Sequence, residues 1–126
     1  MIEEQYVTLE TAKLAKEKGF NEFCFRYYNG TKLVDTNGIS INNEKLDNEF
    51  EGEQFYAAPT QALLSRWLRE KHDIDLESYR TWAMDKSYNY EIIVNCNFDD
   101  IRQECAPDRT YEESKEKGLQ VALNLI

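Results

Sequence analysis

One histidine and three cysteines are spread over 126 residues. Any imidazole-dependent catalysis would therefore have to pass through His72. Cys24, Cys96 and Cys105 are odd in number and include no Cys-x-x-Cys pair. That excludes an ordinary disulfide framework and fits a reducing compartment. No His-x-x-x-His or comparable ligand spacing occurs, so no metal and no other cofactor is expected. Gly-x-Ser-x-Gly elbows, phosphate-binding loops and dinucleotide fingerprints are missing as well.

Positive charge is also scarce. Fifteen Lys and Arg stand against 24 Asp and Glu, a formal net charge of −9. Such a field repels phosphate backbones and anionic lipid headgroups. No apolar run approaches the ~18 residues that a membrane span needs. The opening MIEEQYVTLE lacks the basic and apolar regions of a signal peptide. A cytoplasmic protein without membrane contact is expected. Nucleic acid is disfavoured as a partner, and another protein is the expected one. The oligomeric state is not legible.

What is present is ordinary for a globular chain: 41% hydrophobic, 31% charged and 13% aromatic residues. The length prior gives one domain over residues 1–126. TLETAKLAKEK, residues 8–18, reads as a helix capped by Thr8, with Gly19 placed for a left-handed stop and Phe20 folding back. Phe23, Phe25 and Tyr27 alternate with Cys24, Arg26 and Tyr28, which is strand periodicity. Asn29-Gly30 signals a type I′ hairpin turn into a second strand, Thr31 to Thr36.

Residues 37–53 read as a long acidic loop or insert, with one short element near Ile39 to Ile41. PTQALLSRWLREKHDI follows as a helix, with Pro59 in its first turn. Leu63, Leu64, Trp67 and Leu68 form its apolar stripe and are expected in the core. IDLESYRTW and YNYEIIVNC read as an antiparallel pair, and Asp99-Asp100 as part of a loop. The last helix opens on a Thr110/Glu113 capping box and carries Gly118 inside it, which implies a close backbone contact there. The expected fold is α+β: an antiparallel sheet of about four strands with three helices, in the order α-β-β-α-β-β-α.

Three functional readings follow from these residues. The leading one is a non-enzymatic binding or accessory protein working through protein contacts, with Glu44, Asp47, Glu49, Glu51 and Glu53 as partner-binding residues. Five acids against the single Lys45 can attract a basic partner, or imitate phosphates toward a nucleic-acid-binding protein. The alternative is a nucleic-acid-associated factor using the Arg66, Arg69 and Lys71 edge of the middle helix. The third is a small enzyme using His72 or a cysteine. A structural reading competes with the last: His72 near a helix end is favoured by the helix dipole, and a strand cysteine behaves as a small buried hydrophobe.

ETAKLAKEKGFNEFCFRYYNG, YAAPTQALLSRWLREKHDID, YEIIV and TYEESKEKGLQVALNLI together resemble a group of small proteins encoded in phage and prophage regions of gut Bacteroidetes. The likeness runs from about residue 8 to residue 126 and leaves out 37–53. It implies a cytoplasmic product of a mobile element, an accessory or host-interaction protein. It implies no catalytic residue, substrate or cofactor.

Overall fold

A computed structural model of the chain describes residues 4–49, 54–80, 88–94, 97–104 and 110–126. The fold is α+β, with four helices and two antiparallel sheets among these residues. The chain divides into two compact units, Met1–Thr60 and Gln61–Ile126.

The first unit begins with α1, Leu9–Glu17. Its N-terminus is capped as expected: the Thr8 hydroxyl accepts from the Thr11 N–H. Its C-terminus ends at Gly19, whose φ of 93° is left-handed, and the Phe20 N–H donates back to Ala15 O at 2.9 Å. That return puts the Phe20 ring in the core, fully buried. β1, Arg26–Asn29, pairs with β2, Lys32–Asp35, as an antiparallel hairpin. The turn sits one residue later than the sequence reading has it. Asn29 pairs with Lys32, so Gly30 and Thr31 are the turn residues, and of these Gly30 has a positive φ, 62°. That sign pattern is type II′ rather than type I′, with glycine at the first central position.

The 37–53 segment requires correction. It contains α2, Asn43–Glu49, where a loop is expected. α2 buries only Asn43 and Leu46, so no apolar period announces it. Its start is held by polar groups instead. Asn42 Oδ1 accepts from the Lys45 N–H at 2.8 Å, and Asn21 Oδ1 accepts from the Glu44 N–H at 2.9 Å. Two otherwise unsatisfied helix donors are thereby met. The short element near Ile41 is a single antiparallel bridge to Cys24. β3, Phe55–Ala57, then adds to β1 on the side away from β2, giving the order β2-β1-β3.

Helices α1 and α2 close the outer edge of β3. Lys16 Nζ donates to Phe55 O at 3.1 Å, and Asn43 Oδ1 accepts from the Ala57 N–H at 2.8 Å. An open strand edge invites pairing with other chains, and these two side chains occupy it. On one sheet face the Tyr28 hydroxyl donates to Val7 O at 2.7 Å, and the Arg26 guanidinium lies 4.4 Å from the Tyr6 ring centre. Pro59 is not in a helix. Its carbonyl accepts from the Val7 N–H, tying the N-terminal segment to the end of the unit.

The second unit opens with α3, Gln61–His72, which turns Leu64, Trp67 and Leu68 inward together with Gln61 and Ser65. Trp67 is 7% exposed. Leu63, expected in the stripe, is only half-buried. Asp73, at φ 52°, breaks the helix into β4, Ile74–Arg80. β4 pairs with β5, Tyr88–Val94, antiparallel as expected, with Leu76 opposite Ile92. β6, Asn97–Glu104, joins the far side of β5, so the sheet order is β4-β5-β6. Asp99 and Asp100 thus lie in a strand, not the loop expected of them.

The last element is α4, Tyr111–Asn124, with Thr110 Oγ1 accepting from the Glu113 N–H at 3.1 Å. α4 lies on β4 and β5, and also meets α3. The observed order is α-β-β-α-β-α-β-β-β-α rather than the shorter one expected, and two three-stranded sheets replace one of about four strands. Both expected hairpins exist, and each has gained a third strand.

Candidate functional site

The C-terminal end of α1 and the exposed side of α2 enclose an open cleft of about 440 Å³ in the first unit. Phe20 and Asn43 are buried residues of its wall. Asn43 is fixed from both ends: its Nδ2 donates to Phe20 O at 2.7 Å while its Oδ1 takes the Ala57 N–H. The rim carries Lys16, Asn21, Glu44, Asp47 and Asn48. Lys16 Nζ binds Asp47 Oδ1 at 2.5 Å, and Asn21 Nδ2 donates to Glu44 Oε2 at 3.3 Å.

Two carboxylates meet there. Glu44 and Asp47 are three residues apart on α2, so they share one side of the helix. The negative pole at the carbonyl end of α1 is opposed by the positive N-terminal end of α2, whose first residues Asn43 and Glu44 line the same cleft, so the two side-chain carboxylates set the sign. Lys16 offsets part of this, but it is shared between Asp47, Phe55 O and the Tyr56 ring, whose centre is 5.3 Å away. Each carboxylate spends one oxygen on the contacts given, and the cleft is open to solvent. A cation that brings its own hydrogen-bond donors suits this lining better than an anion.

Of the acidic residues singled out in the sequence, Glu44 and Asp47 come together at this cleft. Glu49 lies exposed at the end of α2, away from the cleft lining. Glu51 and Glu53 fall outside the described residues. Sequence reasoning missed Lys16, Asn21, Asn43 and Asn48. The signal for α2 was available in Asn42, a favoured N-cap residue directly before Asn43 and Glu44.

The basic edge of α3 is less concerted than its spacing suggests. Arg66 is taken by Glu70, with Nε at 2.9 Å from Oε1. That hydrogen bond and the charge attraction raise the Arg66 pKa and lower that of Glu70. Arg69 and Lys71 are exposed, but Lys71 lies about 140° around the helix from Arg66 and about 160° from Arg69. The indole of Trp67 is buried, so it offers no stacking face beside these cations.

His72 ends α3, and its ring meets the edge of Trp67 with centres 4.7 Å apart. Cys24 is buried, and its Sγ lies 3.5 Å from Glu22 O. Burial, with a smaller contribution from Glu22, pushes this thiol up to about 12 from 9.0. It is therefore protonated at neutral pH, the wrong state for a nucleophile. Cys96 and Cys105 lie outside the described residues. Among the described residues, no three His, Cys, Asp or Glu are grouped to hold a metal ion, and no helix is long and apolar enough to cross a membrane.

No family model, curated protein or solved structure matches the chain.

Proposed function

We propose that this chain is a non-enzymatic binding or accessory protein of phage or prophage origin, and that it acts by taking a cationic side chain of a protein partner into the α1–α2 cleft. The observation that supports the binding part is the meeting of Glu44 and Asp47 at one open cleft. The phage origin rests on the resemblance of the helix and strand segments quoted above. The net charge of −9 speeds encounter with a basic partner and discourages nucleic acid.

The test is binding of a short oligolysine peptide to the full chain at low salt, followed by amide NMR. Shifts are expected at Gly19, Asn21, Glu44 and Asn48, fading as salt is raised. A Glu44→Gln/Asp47→Asn double variant is expected to lose them. Shifts confined to other regions, or none at all, would remove the reading.

A further inference from the structure

We infer that Phe23, Phe25 and Ile39 form the apolar half of the same docking surface, and that its occupant is a cationic amphipathic segment of a partner protein. The inference rests on the reading of the α1–α2 cleft. These three side chains are 59%, 54% and 61% exposed. Single exposed apolar residues are ordinary, but three large ones in one place mark a surface meant to be covered.

The backbone brings the segments that carry them next to one another. Phe23 and Phe25 flank the buried Cys24 just before β1, and both are exposed where Cys24 is covered. Cys24 and Ile41 exchange two backbone hydrogen bonds, of 2.6 and 2.8 Å. The Thr36 N–H donates to Phe25 O at 3.0 Å. The 36–41 segment is thus tied at both ends beside residues 24 and 25, and Ile39 sits within it, its N–H donating to Thr36 O. On the other side Asn21, two residues before Phe23, holds both the backbone and the carboxylate of Glu44. The patch therefore continues directly into the rim of the cleft.

Charge selects the occupant. Residues 1–60 contain 11 Asp and Glu against 6 Lys and Arg. A second copy of this chain seated face to face would bring two acidic rims together, since a two-fold interface opposes each patch to itself. Anionic lipid is opposed for the same reason. A segment with apolar residues on one side and Lys or Arg on the other satisfies both halves at once. Its apolar side chains cover Phe23, Phe25 and Ile39, and one cation enters the cleft.

The test uses two short peptides of identical leucine and lysine content, one with the leucines on a single helix face and one scrambled, beside oligolysine. Each is titrated into the full chain and into a Phe23→Ser/Phe25→Ser variant whose thermal unfolding has been checked. Ile39→Ser, which lies outside every strand, gives a second readout should the double variant fold poorly. The amphipathic isomer is expected to bind about tenfold more tightly than the scrambled one, a difference of one decade in Kd. The serine variants are expected to abolish that difference and leave oligolysine binding unchanged. Equal binding of the isomers, with oligolysine still held at the cleft, overturns this inference and spares the cleft reading. Loss of oligolysine binding in the unmodified chain overturns both.

Discussion

Gly118 of α4 lies so close to Leu76 of β4 that a Cβ on the glycine would stand 2.5 Å from Leu76 Cδ1. It would also meet the Cβ and Cγ of Tyr90 at 3.1 Å. Leu76 and Tyr90 are both buried, so neither has open space to move into. Glycine is therefore the residue that lets α4 settle on the β4–β5 sheet. Gly118→Ala gains about 1 kcal/mol of helix propensity, but overpacking a core costs about 1–3 kcal/mol. A net loss of about 1 kcal/mol is expected in the denaturant midpoint, with a larger loss for Gly118→Val.

Asn43 is expected to be the most sensitive polar residue of the first unit. Its side chain joins Phe20 O and the Ala57 N–H, both in buried surroundings. Asn43→Ala removes both hydrogen bonds and leaves the buried Ala57 N–H without this acceptor, at a cost of about 1–3 kcal/mol. Asn43→Asp separates the two halves: a carboxylate can still accept from Ala57 but faces Phe20 O with no proton to give. The aspartate variant is expected to be destabilised too, and to recover partly as pH is lowered through the carboxyl range. Urea unfolding at several pH values reads this directly.

These two glycine and asparagine contacts mark what a sequence reader can and cannot see. Gly118 interrupts a strongly periodic helix, so a close contact there is legible in advance. The α1 and α4 caps, the two hairpins and the inward Trp67 are legible for the same reason, because each rests on local spacing. α2 is not, since it offers a single leucine and depends on Asn21 from a distant segment. β3 is three residues long, and its place beside β1 is set by pairing with residues about 30 positions earlier. β6 opens on polar and acidic residues, which imitate a loop. The cleft inherits that blindness. Its two carboxylates stand out by charge, but the partner wall of Lys16, Gly19 and Asn21 appears only once α1 and α2 face each other. The exposed Phe23 and Phe25 were hidden differently: both precede β1, which begins at Arg26, so the alternation expected from Phe23 to Tyr28 does not govern them.

Ser114 sits fully buried on α4, and its hydroxyl has no hydrogen-bond partner among the described residues. A buried hydroxyl without a partner costs free energy relative to a methyl group in the same place. Ser114→Ala removes that cost, and alanine is the better helix former. An increase in stability of about 1 kcal/mol is expected, seen as a higher melting temperature. Ser114→Val, which adds bulk without a hydroxyl, is expected to lower it.

Cys24 provides a test at alkaline pH. Its thiol is held near 12 in the folded chain against 9.0 for an ordinary cysteine. A raised folded value means that the folded state keeps the proton while the unfolded state gives it up. The stabilisation is therefore fully present below pH 9 and is lost between pH 9 and about 12 as the unfolded thiol ionises. Over that window the cysteine adds a downward slope of up to about 1.4 kcal/mol per pH unit. Tyrosines and lysines titrate in the same range, so the comparison must be with Cys24→Ala rather than with neutral pH alone. The alanine variant is expected to show a shallower alkaline decline in urea unfolding. In a Cys96→Ser/Cys105→Ser background, Cys24 should resist a thiol reagent at neutral pH and become labelled only as the first unit opens. Rapid labelling of the native state would show that the thiol is not sequestered, and the alkaline difference would vanish with it.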